Sequence, residues 1–195
     1  MSYGDRRKAL ARKGISTWMP LYDAKVKGVF TKDLKKVRTR ESAWLALCFF
    51  EVGERLEIAN DLLEGVLAQQ EQSDRNKAKR YNFKWYYEQG SVSDYNGLSF
   101  VGPVLAYVYT THRKVIRPDL VGPLHTALCN GKICVQQLFF EQIPVTYTNV
   151  YVNLIAYLIM LGDEDKAAPY VERLYQMVQQ GGSTNTAPGP IWLCS

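Results

Sequence analysis

The feature that most constrains this chain is a repeat of about 53 residues, in which an apolar segment is followed by an amphipathic one. Asn96 and Asn149 each open an apolar segment and lie 53 positions apart. Gly53 and Gly162 close such segments at about twice that separation. Repeats of roughly 20–50 residues are typical of solenoids and closed rings that stack one supersecondary unit. The spacing therefore predicts a row of helical hairpins.

The two helices of each predicted hairpin differ in pattern. The first is apolar nearly all round and should be buried, whereas the second carries one apolar stripe, as with Ile58, Leu62 and Val66. This asymmetry predicts an all-α fold of inner and outer helices, a partial α/α toroid. The ring is expected to be incomplete, because a closed ring needs roughly 270–370 residues at this repeat length. The predicted helices lie near residues 40–53, 54–72, 94–113, 118–137, 146–161 and 164–180.

Two further segments flank this helical domain, which we place at residues 38–182. The leader, residues 1–37, is interrupted by Gly14 and Pro20 and shows no steady periodicity. We expect an irregular, extended arm that docks its aromatic side chains on the helices and is mobile at its start. The tail, residues 183–195, is rich in Gly, Thr and Pro and is also expected to be irregular.

Charge is distributed unevenly along the chain. Residues 1–40 contain twelve Lys or Arg and three Asp, whereas the remainder is mildly acidic. Basic segments can meet nucleic acid or anionic lipid, but the sequence contains no recognition module for nucleic acid. We expect neither a nucleic-acid nor a membrane partner. The longest apolar run, Val150–Leu161, falls short of the about 20 residues that a membrane span requires. The basic start lacks the apolar stretch of a secretory signal, and the compartment stays open.

The four cysteines, Cys48, Cys129, Cys134 and Cys194, do not have zinc-site spacing. We expect free, mostly buried thiols, although a disulfide between Cys129 and Cys134 stays open. The sequence has no recognisable phosphate loop, metal-ligand cluster or Ser/His/Asp arrangement. No metal or cofactor is therefore expected.

Polar and aromatic residues gather where the inner helices begin. If those helices run in the same direction, their N-termini form one rim. Helix N-termini favour anions, and aromatic rings stack on apolar faces, so this rim suits an acidic oligosaccharide. The rim residues are Arg40, Glu41, Trp85, Tyr86, Tyr87, Glu88, Asp94, Asn96, Tyr147, Thr148 and Asn149.

Each of these residues also has a purely structural interpretation. Asp94 and Thr148 suit helix caps, and Arg40 with Glu41 suits an ion pair. The aromatic run at residues 85–87 suits a hydrophobic plug. Asn96 and its counterpart in the next repeat suit backbone contacts between hairpins.

Three stretches carry a family resemblance. They are RTRESAWLALCFFEVGERLEIANDLLEGVLAQQ, NFKWYYEQGSVSDYN and YTNVYVNLIAYLIMLGDED. Together they resemble part of an uncharacterised α/α-toroid family related to the helical domains of heparinase-type and chondroitin-type polysaccharide lyases. The resemblance covers roughly residues 38–180. It implies a carbohydrate-active protein that binds an acidic polysaccharide, and it leaves cleavage by β-elimination open.

The resemblance also implies roles for the rim residues. Asn96 and Asn149 would neutralise a uronate carboxylate, and Tyr147 would move the proton. A tyrosine base needs its pKa lowered from about 10, which Arg40 would assist. The residues expected to bind substrate are Arg40, Glu41, Trp85, Tyr86, Glu88 and Asp94.

Two alternatives stay open. A non-catalytic α-solenoid-like module would bind protein through its concave face. A glycoside hydrolase of six-hairpin type would use paired carboxylates among Glu41, Glu88 and Asp94. In each case an incomplete ring leaves an apolar edge at its last hairpin, which predicts either self-association through that edge or a continuation of the chain after Ser195.

Overall fold

The structure is a computed structural model that describes residues 2–76, 79–141 and 148–179, of which 138–141 are described by their backbone alone. It is mostly helical, which confirms the all-α class, and it adds one small sheet. The helices are α1 (Tyr3–Trp18), α2 (Thr39–Val52), α3 (Leu56–Leu67), α4 (Gly97–His112), α5 (Pro118–Glu141), α6 (Thr148–Met160) and α7 (Glu164–Gln179). The strands are β1 (Tyr22–Asp23), β2 (Gly28–Phe30) and β3 (Val37–Arg38).

The expectation of an irregular leader was wrong, because most of its first half forms α1. Ser2 caps this helix: its hydroxyl accepts from the Asp5 amide, and its own amide donates to the Asp5 carboxylate. Gly14 does not break the helix. A Cβ at Gly14 would lie 2.8 Å from Cys48 Sγ, so the glycine permits close packing of α1 on α2. In the sequence Gly14 looks like a helix interruption. The reason for the glycine is its contact with Cys48, 34 positions further along the chain.

The second half of the leader forms the three-stranded antiparallel sheet, in the order β1–β2–β3. Val29 is fully buried, and its amide donates to the hydroxyl of Ser42 on α2 at 2.9 Å. Strands of two or three residues are too short to show the alternation by which a strand is recognised in sequence. The sheet fixes the chain that leads into the start of α2.

The remaining helices form three consecutive hairpins, close to the predicted bounds. Gly53 ends α2, and Gly162 lies between α6 and α7. Each has a left-handed φ of 73°, a backbone conformation that would be strained in a residue with a side chain. The helix α4 packs against both α2 and α6, and α2, α4 and α6 each pack against the partner that follows in sequence. The first helices of the hairpins are therefore neighbours.

The dipeptide Asn130-Gly131 is a strong turn signal in sequence, but α5 continues through it to Glu141. The physical reason is again packing. A Cβ at Gly131 would lie 2.3 Å from the hydroxyl of Tyr157, which donates to the carbonyl of Leu128 at 2.6 Å. Within the described residues, no helix is long and apolar enough to cross a membrane.

Candidate functional site

The start of α2 carries a buried carboxylate held by two arginines. Glu41 is 6% exposed and accepts from Arg38 Nη1 at 3.2 Å and from Arg40 Nη2 at 2.6 Å. Both arginines remain partly exposed. The ion pair expected between Arg40 and Glu41 is therefore present, and the arginines have surface left for another ligand.

The aromatic loop before α4 is fastened onto this helix start. The Thr39 amide donates to the Trp85 carbonyl, and the Tyr87 amide donates to the Val37 carbonyl, each at 3.0 Å. The Glu88 carboxylate accepts from the Val37 amide at 3.0 Å. These bonds hold the loop in one position relative to α2, so its aromatic side chains are preorganised.

Trp85 forms the centre of a small aromatic and cationic shelf. Its indole nitrogen donates to the Asp94 carboxylate at 2.7 Å, and its ring centroid lies 5.6 Å from that of Phe100. The guanidinium carbon of Arg40 lies 5.9 Å from both ring centroids, within cation–π range. The structure thus brings together Arg40, Glu41, Trp85 and Asp94 as predicted.

The structure gives the remaining predicted residues different positions. Asn96 is the N-cap residue of α4 and makes no side-chain capping bond; its amide donates to Asp94 Oδ1 at 2.7 Å. Asp94 therefore shapes the turn before α4, and its interpretation as the helix cap was wrong. Asn149 is exposed in the first turn of α6, where its side chain accepts from the following amide. Tyr86 lies beside the β2–β3 turn rather than on the shelf. Tyr147 lies outside the described residues.

A groove of about 570 Å³ begins at Phe100 and runs along one face of α2, α4 and α6. The helix α1 forms its fourth side, which the sequence analysis missed because it placed no helix there. Along α2, Trp44, Cys48 and Glu51 lie one turn apart and share this face. The other lining residues are Tyr3, Arg7, Leu10, Ala11, Leu47, Ser99, Phe100, Pro103, Val104, Tyr107, Asn153 and Met160.

The far end of the groove contains a second carboxylate, the partly buried Glu51. Arg7 Nε donates to Glu51 Oε2 at 3.0 Å, and His112 Nε2 lies 3.0 Å from Glu51 Oε1. Burial raises the pKa of Glu51, but the hydrogen bonds from Arg7 and His112 lower it by more, so its net pKa is below the ordinary value. His112 was not among the predicted site residues. The available signal was Glu51 itself, an acidic residue within an apolar helix.

Two other groups in the groove are poor nucleophiles or bases. Burial raises the pKa of the Cys48 thiol to about 11. Burial, and the nearby charge of Glu51, raise the pKa of Tyr107. Both groups are therefore protonated at neutral pH and contribute packing surface and a hydroxyl to the groove. Cys48 and Cys129 are free thiols, as expected; Cys129 is exposed rather than buried.

Among the described residues, no group of three or more His, Cys, Asp or Glu side chains is placed to hold a metal ion. Comparison with known proteins finds no matching family model, no matching curated protein and no matching solved structure.

Proposed function

We propose that this chain is an arc of an α/α toroid that binds a segment of acidic polysaccharide along its groove, with the Arg40 shelf as the anchoring point. The observation that carries the proposal is the partly exposed guanidinium of Arg40 beside the rings of Trp85 and Phe100, of which Phe100 also lines the groove. A pyranose ring has an apolar face that stacks on aromatic rings. A uronate carboxylate accepts charge-assisted hydrogen bonds from arginine. One residue cluster offers both contacts.

The lining of the groove supports the repeat. Phe100 and Asn153 both line it and lie 53 positions apart, and the same holds for Tyr107 and Met160. Equivalent positions of successive repeats face the same side when the repeats stack in parallel. The groove then lies on the concave side of the arc.

The last hairpin supports an open arc. Its helix α7 buries Ala167 and Tyr170 but leaves much of its apolar stripe exposed. A further hairpin, or another copy of the chain, would cover this edge. Self-association in light scattering would support the open arc, and a monomer that binds no hydrophobic dye would contradict it. The exposed apolar residues of α6 and α7 are Val152, Ile159, Val171, Tyr175 and Val178.

The carboxylate contacts favour binding over hydrolysis. Glu41 is bonded to two arginines, Asp94 to the Trp85 indole, and Glu88 to a backbone amide. A paired-carboxylate mechanism requires two carboxyl groups directed at the scissile bond, and these three are engaged in the fold. Cleavage by β-elimination, with Tyr147 as base and Asn96 and Asn149 as neutralisers, stays a prediction.

A second candidate function follows from the middle of the groove. Leu10, Leu47, Val104 and Met160 line it between its two charged ends. An apolar groove between helices is also the surface that accepts an amphipathic helix of a protein partner. This interaction module is the alternative against which the polysaccharide proposal is tested.

Glycan binding distinguishes the two functions. We expect the full chain to bind uronate oligosaccharides and to bind neutral oligosaccharides of equal length more weakly. Arg40→Lys retains the charge but loses the planar guanidinium, and should weaken uronate binding. Arg12→Lys, on the exposed side of α1, is the matched control. If uronate binding is absent, or if both variants behave alike, the polysaccharide function is wrong. Absorbance of an unsaturated product would report β-elimination in the same samples.

A further inference from the structure

A second cavity, of about 470 Å³, lies on the sheet side of the loop that carries Trp85. It is enclosed by the β2–β3 turn, the end of α1 and the ring of Tyr86. Its lining residues are Trp18, Phe30, Thr31, Lys32, Asp33, Lys35, Lys36, Arg38 and Tyr86. We call it the basic pocket.

The charge of the basic pocket is unbalanced, since four cationic side chains face one carboxylate. That carboxylate is occupied: Asp33 accepts from the Thr31 hydroxyl and from the Lys35 amide, and these bonds hold its pKa below the ordinary value. Asp33 therefore shapes the turn rather than neutralising the lysines. An anion entering the pocket would meet an excess of positive charge.

Arg38 supplies an unsatisfied donor at this place. Its Nη1 donates to Glu41, but its Nε is buried and has no hydrogen-bond partner. Buried polar atoms are nearly always hydrogen-bonded, so an exception calls for an acceptor. The Arg38 side chain is 34% exposed, so a turn of the guanidinium would bring this N–H to an oxyanion in the pocket. A guanidinium bonds a carboxylate or sulfate through two adjacent N–H groups.

The pocket is also preorganised and offers ring surface. The Thr31 amide donates to the Lys36 carbonyl at 2.7 Å, and the Lys36 amide donates to the Thr31 hydroxyl at 3.2 Å, which closes the turn. Lys36 Nζ lies 4.9 Å from the centroid of the Tyr86 ring. A ring compound that carries an anionic group would find its cation and its stacking partner already in place.

We propose that the basic pocket binds a sulfate or carboxylate group carried on a sugar ring, through Lys35, Lys36 and Arg38, with Tyr86 as the stacking surface. The proposal rests on the polysaccharide function and extends it to a second subsite. The two sites adjoin, because Arg38 and Arg40 donate to the same oxygen of Glu41. A chain bound at the Arg40 shelf can therefore continue over Glu41 into the basic pocket.

The test uses the full chain and a lysine double variant, Lys35→Gln with Lys36→Gln. The matched control is Lys8→Gln with Lys25→Gln, which removes the same charge from exposed positions outside the pocket. We expect the pocket variant to bind a sulfated uronate hexasaccharide about tenfold more weakly, because it loses two charge-assisted contacts. The control should change binding less than twofold. Equal losses in both variants would overturn the proposal, because only overall charge would then matter.

Inorganic sulfate separates this proposal from the polysaccharide function. We expect sulfate, at constant ionic strength, to shift the Arg38 Nε–H resonance in the wild type and in the control, but not in the pocket variant.

If the hexasaccharide binds the wild type and pocket variant equally while Arg40→Lys loses binding, the polysaccharide function stands and the pocket proposal fails. If sulfate shifts Arg38 but no saccharide binds, the sugar assignment fails with the polysaccharide function. Tighter, lysine-dependent binding of a single-stranded oligonucleotide of equal charge would also overturn the sugar assignment. Non-sulfated and sulfated hexasaccharides in parallel identify which group the pocket prefers.

Discussion

Glu41 and Glu51 lie near opposite ends of α2, and each has a carboxylate held by arginine. They differ in where their partners come from. Glu41 is bonded to Arg38 and Arg40, its close neighbours in sequence, whereas Glu51 is bonded to Arg7 and His112, which are 44 and 61 positions away. The contacts of Glu41 shape the start of α2 alone. The contacts of Glu51 join α1, α2 and α4, so their loss should destabilise a larger part of the molecule.

Removal of each carboxylate tests that difference. Glu51→Ala leaves Arg7 and His112 without their acceptor in a partly buried position, and we expect the free energy of unfolding to fall by about 2 kcal/mol. Glu41→Ala should cost about 1 kcal/mol, because Arg38 and Arg40 are partly exposed and can turn to water. Urea unfolding of both variants measures the two losses. Equal losses would show that the origin of the partners does not matter.

The same contrast decides what could be predicted from the sequence. The sequence patterns that mark helix starts contain or adjoin Arg40, Glu41, Trp85 and Asp94. Their proximity could therefore be predicted from the local sequence. That of Glu51 and its partners could not, because their contacts depend on how α1 and α4 pack on α2. No residue near Glu51 in the sequence indicates that Arg7 and His112 are the partners of its carboxylate.

Helix prediction followed the same division. The apolar spacing of the three hairpins is a local property, and it located their helices within a few residues. Gly14 and Gly131 looked like interruptions because the groups that require them, Cys48 Sγ and the Tyr157 hydroxyl, lie on other helices. The tertiary contact explains the glycine in both cases, and a single sequence does not show that contact. Strands β1–β3 were missed for a different reason, their length.

The pH dependence of stability sharpens the comparison. Because the folded-state pKa of Glu51 lies below its ordinary value of 4.5, its ion pair contributes its full stability above that ordinary value, which applies in the unfolded chain. The contribution is lost as pH falls through the lower folded-state pKa. The difference in unfolding free energy between wild type and Glu51→Gln should therefore narrow as the pH is lowered from about 6 to about 3. Denaturant unfolding across that range checks it; a constant gap would mean that Glu51 titrates as in the unfolded chain.

Hydrogen exchange distinguishes what the two arginine partners do. Arg7→Gln removes the ion pair that ties α1 to α2, so amides of α1 should exchange about threefold to tenfold faster, consistent with a loss of roughly 1 kcal/mol. Arg40→Gln should leave exchange in α1 unchanged while weakening uronate binding. Peptide-level exchange with mass spectrometry follows both variants. If Arg7→Gln leaves α1 as protected as in the wild type, packing at Gly14 alone holds this helix.

Thiol reactivity gives the smallest expected effect and reports on the contact between α1 and α2. Cys48 lines the groove beside Gly14, and burial raises its pKa to about 11, so only about 0.1% is thiolate at pH 8. Iodoacetamide should therefore modify Cys48 much more slowly than the exposed Cys129.

Arg7→Gln should raise the rate of Cys48 modification about twofold to fivefold, because looser packing of α1 lets water reach the sulfur. Arg40→Gln, at the other end of α2, should leave the rate unchanged, and peptide mapping assigns each modified cysteine. A rate increase in both variants would mean that α2 responds as one unit, and that its two ends are not independent.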